Sequence, residues 1–402
     1  MKRDVETTVR RMSALLTAGA LALLAGCQGH GGDGRAAGFA TGQGAAASMT
    51  VAPADGSTDV SPTVPLEISV TDGELAGVTV VDGAGTPVAG TVADSPDDPA
   101  TDVWTPDTPL AYGTSYTLTA TAEGADEQPA EASTTFTTLT PTTLGAPSIG
   151  PLDGTTVGVG MPIRVYFDQP VTDRAAVESH LEVTSSAPTD GVWSWLSDTE
   201  VHFRPSTYWP AHTDVTLHAD LYGVDLGDGV WGEEDRAVSF SIGDRHVSVA
   251  DAATHTLEVH DGDQVVQTYP MSAGSDANPT RNGPHVVTES HRDITMDSST
   301  FGLAVDAPGG YRTDVEYAVR ISNNGEFVHA APWSVAQQGR ANVSHGCINL
   351  STERAAWFFD FSRPGDVVEV RNSVGPQLSA ADGDVHDWAI PWEQWRAGSA
   401  LK

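Results

Sequence analysis

A six-residue pattern recurs in the front half of this 402-residue chain. Val51-Ala52-Pro53-Ala54-Asp55-Gly56 returns as Ile149-Gly150-Pro151-Leu152-Asp153-Gly154 at an offset of 98, and Trp104-Thr105-Pro106 returns as Phe203-Arg204-Pro205 at an offset of 99. A period of about 100 residues is the size of one immunoglobulin-like unit, so the repeat predicts two β-sandwich modules in tandem. Both units contain short alternating runs, such as Tyr116-Thr117-Leu118-Thr119-Ala120 and Val215-Thr216-Leu217-His218-Ala219. Gly, Pro and Asp punctuate these runs, as they do between antiparallel strands. Module 1 is placed at residues 49–140 and module 2 at 141–243, with Thr137 to Ala146 as the join and Ile242-Gly243-Asp244 as the far border.

Residues 244–373 form a third domain that also reads as mostly β. His246-Val247-Ser248-Val249-Ala250, Thr256-Leu257-Glu258-Val259-His260 and Gln264-Val265-Val266-Gln267-Thr268-Tyr269 alternate with the two-residue period of strands. A helix is predicted over Thr352 to Phe361, with Ser351 as its N-cap, followed by a strand at Val367-Val368-Glu369-Val370. Residues 374–402 form an extension containing Trp388, Trp392 and Trp395. Rings of this size are costly to leave in water, so the tail is expected to dock on the folded body and set the angle between module 2 and the third domain.

The N-terminus carries Lys2, Arg3, Arg10 and Arg11, then an apolar run from Ala14 to Ala25, then Leu24-Ala25-Gly26-Cys27. The run is too short for the roughly 20 residues that span a bilayer. Residues 1–26 resemble a bacterial lipoprotein signal peptide, which implies lipidation of Cys27 and placement on the extracytoplasmic face of the membrane. Residues 27–48, rich in Gly and Ala, would then be a flexible linker beyond the anchor. Removing residues 1–26 takes away four basic and two acidic side chains, so the formal charge moves from −34 to −36. Such a field repels phosphate backbones, and no basic cluster offsets it, which excludes nucleic acid as a partner. It repels anionic headgroups too, so attachment would rest on the lipid.

The chain has two cysteines. With Cys27 in the anchor, Cys347 has no partner for a disulfide, and the folded domains must be held by packing. A free thiol outside the cytoplasm is an oxidation liability unless chemistry requires it. Cys347 sits in Ser344-His345-Gly346-Cys347-Ile348-Asn349, and His329 precedes His345 by sixteen residues. A base such as His329 turns a thiol into a useful nucleophile. Gly346, having no side chain, would let a substrate carbonyl approach backbone N–H groups beside the thiol, the arrangement of an oxyanion hole. Zinc ligation by two histidines and a cysteine is the competing reading; it lacks a second thiol and any CxxC or HExxH spacing.

His329, fourteen intervening residues and then Ser-His-Gly-Cys-x-Asn resemble the signature of the L,D-transpeptidases. Met296-Asp297-Ser298-Ser299-Thr300-Phe301-Gly302, Gly310-Tyr311-Arg312-Thr313-Asp314 and Phe327-Val328-His329-Ala330-Ala331-Pro332-Trp333-Ser334 resemble the catalytic domain of the mycobacterial-type enzymes. The resemblance implies a YkuD-type β-sandwich catalytic domain after two immunoglobulin-like modules. It further implies a cofactor-free acyltransferase with Cys347 as nucleophile, His329 as proton donor and acceptor, His345 in support and Gly346 in the oxyanion hole. The substrates implied are peptidoglycan stem peptides, a tetrapeptide donor and a diaminopimelate acceptor, joined 3→3 with release of D-alanine. Carbapenems are the implied inhibitors. Tyr311, Asn324, Gly325, Ser344 and Asn349 match substrate-contact positions, and the backbone carbonyl of Ala330 would orient His329. An L,D-carboxypeptidase, in which water replaces the acceptor amine, and a non-catalytic wall-binding lipoprotein are the alternatives.

Two features of module 2 have double readings. Trp193 and Trp195 are either core tryptophans or exposed rings that stack on wall sugars. Asp225-Leu226-Gly227-Asp228-Gly229 opens an acidic loop that could hold a structural Ca²⁺, and the resemblance places a metal at Asp225, Asp228 and Gly229. A solvated acidic turn is the other reading of that loop.

Overall fold

The computed structural model describes residues 45–401 except 99, 126, 302, 303 and 384. The signal-like segment, Cys27 and most of the linker lie outside the described residues.

Alternating side chains build module 1 from two four-stranded sheets. One runs in the order Ser48–Ala52, Leu66–Thr71, Thr101–Pro106, Gly90–Asp94, and the other in the order Pro87–Val88, Gly73–Asp82, Ser115–Gly124, Pro129–Thr137. Leu66, Ile68 and Trp104 from the first sheet meet Val80, Leu118 and Phe136 from the second in a shared core. Module 2 repeats the plan. Pro147–Gly150, Ile163–Phe167, Glu200–Pro205 and Gly191–Trp195 face Thr156–Val157, Arg236–Ile242, Asp214–Ala219 and Leu181–Ser185.

The sequence repeat has a physical basis in both modules. Asp55 Oδ1 accepts the Thr135 N–H at 2.8 Å and Gly56 N–H donates to Thr135 O at 2.7 Å. Asp153 and Gly154 make the same two bonds to Ser239, at 2.8 and 2.7 Å. The aromatic residue of the second repeat element packs against a glycine of the neighbouring strand. A Cβ on Gly90 would come within 2.4 Å of the Trp104 ring, and one on Gly191 within 2.3 Å of the Phe203 ring.

Trp193 and Trp195 are 6% and 8% exposed, and their ring N–H groups donate to Leu181 O and Glu178 Oε2, each at 3.0 Å. They are core residues, so the sugar-stacking alternative fails on burial. The acidic loop is a tight hairpin between Asp225–Gly227 and Val230–Gly232. Asp228 and Gly229 both have positive φ, 52° and 81°, the backbone that a two-residue Asp-Gly turn demands. Asp225 Oδ1 is used by the Gly227 N–H at 2.8 Å. Among the described residues no group of three or more His, Cys, Asp or Glu side chains could hold a metal ion.

The third domain packs a five-stranded sheet (Gln264–Pro270, Thr256–Asp261, His246–Asp251, Val367–Arg371, Gly283–Val286) against a four-stranded one (Glu289–Asp297, Arg312–Arg320, Phe327–Ala330, Ile348–Leu350). Leu257, Val259, Val368 and Val370 of the first sheet share a core with Val319, Val328 and Ile348 of the second. The helix Thr352–Phe361 adds Ala355 and Phe358 to it. Ser351 takes the N-cap position of that helix as the sequence suggests, although its side chain makes no capping hydrogen bond; its carbonyl accepts the Ala355 N–H at 2.9 Å.

Residues from 45 onward form a single compact unit. Modules 1 and 2 meet at two tyrosines whose ring centroids are 4.6 Å apart. The Tyr112 hydroxyl donates to Gly232 O at 2.7 Å and accepts the Gly223 N–H at 2.8 Å, while the Tyr222 hydroxyl donates to Leu110 O at 2.9 Å. Module 2 meets the third domain backbone to backbone. Gly158 and Gly160 N–H donate to Pro364 O and Gly365 O, both at 2.8 Å, and a Cβ on Gly158 would lie 2.2 Å from Asp366 N. The tail then closes over module 2: the Trp395 ring N–H donates to Val192 O at 2.9 Å and that of Trp388 to Gly160 O at 2.7 Å. The Arg204 guanidinium lies over the rings of Trp388, Trp392 and Trp395 at 4.7, 5.2 and 4.7 Å.

Candidate active site

The pleat of two parallel strands assembles the site. Phe327–Ala330 pairs with Ile348–Leu350 so that Val328 lies opposite Ile348 and His329 opposite Asn349. Side chains alternate across a strand, which sends Val328 and Ile348 into the core and turns His329 and Asn349 to the other face. Cys347, two residues before Asn349, shares that face. All three line a cleft of about 300 Å³, together with Met296, Tyr311, Trp333, Ser344 and His345.

His329 is 4% exposed and its Nδ1 lies 2.8 Å from the Ala330 carbonyl oxygen. A carbonyl only accepts, so the proton of the neutral ring sits on Nδ1, and Nε2 carries the free lone pair. Burial pushes the imidazole down to about 4, against a smaller opposing effect of the Ala330 hydrogen bond. Burial likewise pushes the Cys347 thiol up to about 12. At neutral pH the resting pair is therefore an uncharged imidazole and an uncharged thiol, not an ion pair. The thiol donates to the Gly325 carbonyl at 3.6 Å.

Ser344 braces the turn that carries the thiol: its hydroxyl donates to Cys347 O at 2.6 Å and accepts the Gly346 N–H at 3.1 Å. The Gly346 N–H is thus taken by Ser344 Oγ rather than left free. A Cβ on Gly346 would lie in ordinary contact with Glu326 Cγ at 3.6 Å. Glycine is required because φ is +124°. Thr280, whose hydroxyl donates to Gly346 O at 2.7 Å, holds the turn from 66 residues away and left no local signal in the sequence.

Of the residues matched to substrate contacts, Tyr311, Ser344 and Asn349 line the cleft. The Tyr311 ring lies 5.0 Å from that of exposed His345, and burial pushes its hydroxyl up to about 12, keeping it protonated as a donor. Asn349 Nδ2 donates to Ser334 Oγ at 3.1 Å, while its Oδ1 is buried without a hydrogen-bond partner among the described residues. Gly325 borders a smaller hollow that shares Met296 and Tyr311 with the cleft. Asn324 turns away: it bonds to Ser322 and donates to Asp382 Oδ1 at 3.0 Å. Trp333, 58% exposed and four residues beyond His329, completes the cleft wall and was not singled out from sequence. Asp225, Asp228 and Gly229 belong to the module 2 hairpin, outside this site.

Comparisons with known proteins agree with this architecture. A family model described as a bacterial Ig domain matches residues 57–225, and the L,D-transpeptidase catalytic domain matches residues 245–370. L,D-transpeptidase 2 of Mycobacterium tuberculosis (strain CDC 1551 / Oshkosh) is 44% identical over 352 residues, covering 88% of this chain and 85% of its own. L,D-transpeptidase 5 of M. tuberculosis (strain ATCC 25618 / H37Rv) is 41% identical over 360 residues, 88% of this chain and 77% of its own. A solved LD transpeptidase in complex with imipenem is 39% identical and covers 56% of this chain and 97% of its own, with a TM-score of 0.50. With a relative this similar along most of both chains, and with a cysteine and a histidine on one face of the cleft, the chain belongs to the L,D-transpeptidase family.

Proposed function

We propose that this L,D-transpeptidase joins peptidoglycan stem peptides 3→3 through a thioester on Cys347, with His329 carrying the proton. The observation that supports it most is the placement of Cys347 and His329 on one cleft face, with Nδ1 of the histidine tied to Ala330 O at 2.8 Å. That tie leaves Nε2 as the base. As the thiol adds to the carbonyl carbon of the donor peptide, Nε2 takes its proton, so the thiolate forms only when a substrate is present. The oxyanion is stabilised by the Cys347 N–H and the protonated Tyr311 hydroxyl, the Gly346 N–H being engaged elsewhere. The protonated imidazole then gives its proton to the departing D-alanine amine. An acceptor amine from a neighbouring diaminopimelate residue attacks the thioester, loses a proton to His329 and releases the thiol. No cofactor enters these steps.

Asn349, whose buried oxygen has no partner among the described residues, and exposed Trp333 are suited to hold the stem peptide. Cys27 is the proposed lipidation site, and the folded unit would face the wall from the outer side of the membrane, after a signal peptide of residues 1–26. Imipenem and a faropenem-derived adduct occur in solved relatives, and acylation of Cys347 by such compounds is part of this reading.

Intact-mass spectrometry of residues 49–402, with Cys347→Ala as control, tests it. A disaccharide tetrapeptide should give an adduct on the wild type only, with cross-linked dimer; a carbapenem should acylate the same residue. Tripeptide without dimer would assign carboxypeptidase chemistry instead, and no adduct with either compound would refute a nucleophilic Cys347.

A further inference from the structure

A carboxylate that the reaction does not touch is buried against the nucleophile's turn. Glu326 is 4% exposed and does not line the cleft. Its Oε1 accepts the Arg281 N–H at 2.8 Å, and its Oε2 lies 3.1 Å from His285 Nε2. His285 is fully buried, and its Nδ1 lies 3.0 Å from Gly283 O. Both ring nitrogens therefore face oxygen atoms, of Gly283 and of Glu326. His285 belongs to one sheet and Glu326 precedes the His329 strand of the other, so the pair ties the two sheets beneath the site. A Cβ on Gly346 would be 3.7 Å from Glu326 Oε1. On its other flank Glu326 follows Gly325, whose carbonyl takes the Cys347 thiol. Arg281, which supplies the backbone donor, follows Thr280, which holds Gly346 O.

We propose that Glu326, anchored by His285 and the Arg281 N–H, is a positioning residue that keeps the Gly325 turn and the Gly346–Cys347 turn in register, so that the thiol rests on the Gly325 carbonyl. The inference rests on Cys347 being the nucleophile. The charged and titratable groups that face Cys347 are Glu326, Arg320, Tyr311, His329 and, at the cleft mouth, His345. Glu326 is the anion among them, so it also favours the protonated thiol, adding to the larger effect of burial.

Two variants of the full chain separate position from charge. In Glu326→Gln the amide oxygen accepts the Arg281 N–H and the amide nitrogen faces His285 Nε2, so the brace survives without the carboxylate charge. Glu326→Ala removes both contacts and leaves two buried groups unpaired. The measurements are kcat and KM with a disaccharide tetrapeptide, and the pH profile of Cys347 alkylation by iodoacetamide followed by intact mass. Glu326→Ala should lower kcat about tenfold or more with KM within about twofold, the mark of a misplaced reactive group. Glu326→Gln should recover most of kcat and move the alkylation profile to lower pH. Wild-type kcat in folded Glu326→Ala, or an alkylation profile of Glu326→Gln that superposes on the wild type, would overturn the proposal. Should Glu326→Ala fail to fold, kcat of Glu326→Gln decides: near wild-type kcat with the brace kept supports a positioning role, and a loss of about tenfold or more would overturn it. A wild-type chain not alkylated at Cys347 would overturn the nucleophile reading itself and the proposal with it.

Discussion

Replacing Asp387 by asparagine should uncouple the tail from module 2 in a pH-dependent way. His202 is fully buried, with Nδ1 2.8 Å from Asp387 Oδ1 and Nε2 2.9 Å from Glu200 Oε1. Burial alone would depress the imidazole, but the charge and hydrogen bond of Asp387, then those of Glu200, outweigh it and raise it from 6.5 to about 9. At 1.36 kcal/mol per pH unit, a rise of this size corresponds to roughly 3 kcal/mol of native-state stability. Because the folded value is raised, that stability is fully present below about pH 6.5 and is lost as pH climbs through about 9. The Asp387→Asn substitution would keep the shape of the side chain without the charge, so the variant should lose most of this contribution at pH 7. Urea unfolding read by tryptophan fluorescence is the assay, since Trp388, Trp392 and Trp395 surround Arg204 beside this pair. The wild type should weaken between pH 6.5 and 9 while the variant stays nearly flat. Parallel stability curves for the two proteins across that window would refute the reasoning.

Three further outcomes follow from the same physics. Since burial holds His329 down at about 4, the acid limb of the acylation rate should fall near pH 4; a limb near 6.5 would show that the ring is not buried in the working enzyme. Gly346→Ala has room for its methyl group but must adopt a φ of +124°, so it should cost about 1–3 kcal/mol and slow carbapenem acylation; unchanged melting and unchanged acylation would contradict a conformational role for the glycine. Tyr112→Phe strips the partner from Gly232 O and Gly223 N–H and should destabilise the module junction by about 1–3 kcal/mol, seen as faster proteolysis between the modules; proteolysis at the wild-type rate would mean that the hydroxyl is dispensable.

Much of the fold was legible because its signals are local. The strands His246–Asp251, Thr256–Asp261 and Gln264–Pro270 alternate in sequence as they alternate in space. The repeat was legible because Asp55 and Asp153 make the same short-range turn bonds in each module. The Asp228-Gly229 hairpin carried a usable turn signature, while its carboxylates kept a cation open as a second reading beside the solvated turn. Residues such as His285, Thr280 and Asp382 left no such trace, since each acts on a partner 41 to 66 residues away.

By itself, the sequence determined two immunoglobulin-sized repeats, a mostly β third domain and the Cys347 and His329 motif, because periodicity, turn residues and motif spacing are written in neighbouring positions. Only the tertiary structure decided that Trp193 and Trp195 are core, that the Gly346 N–H is spent on Ser344, that Asn324 faces Asp382, and that His329 and Cys347 rest uncharged. Burial and hydrogen-bond partnership depend on which distant strands meet, and that information lies in the packing of the sheets rather than in any one stretch of chain.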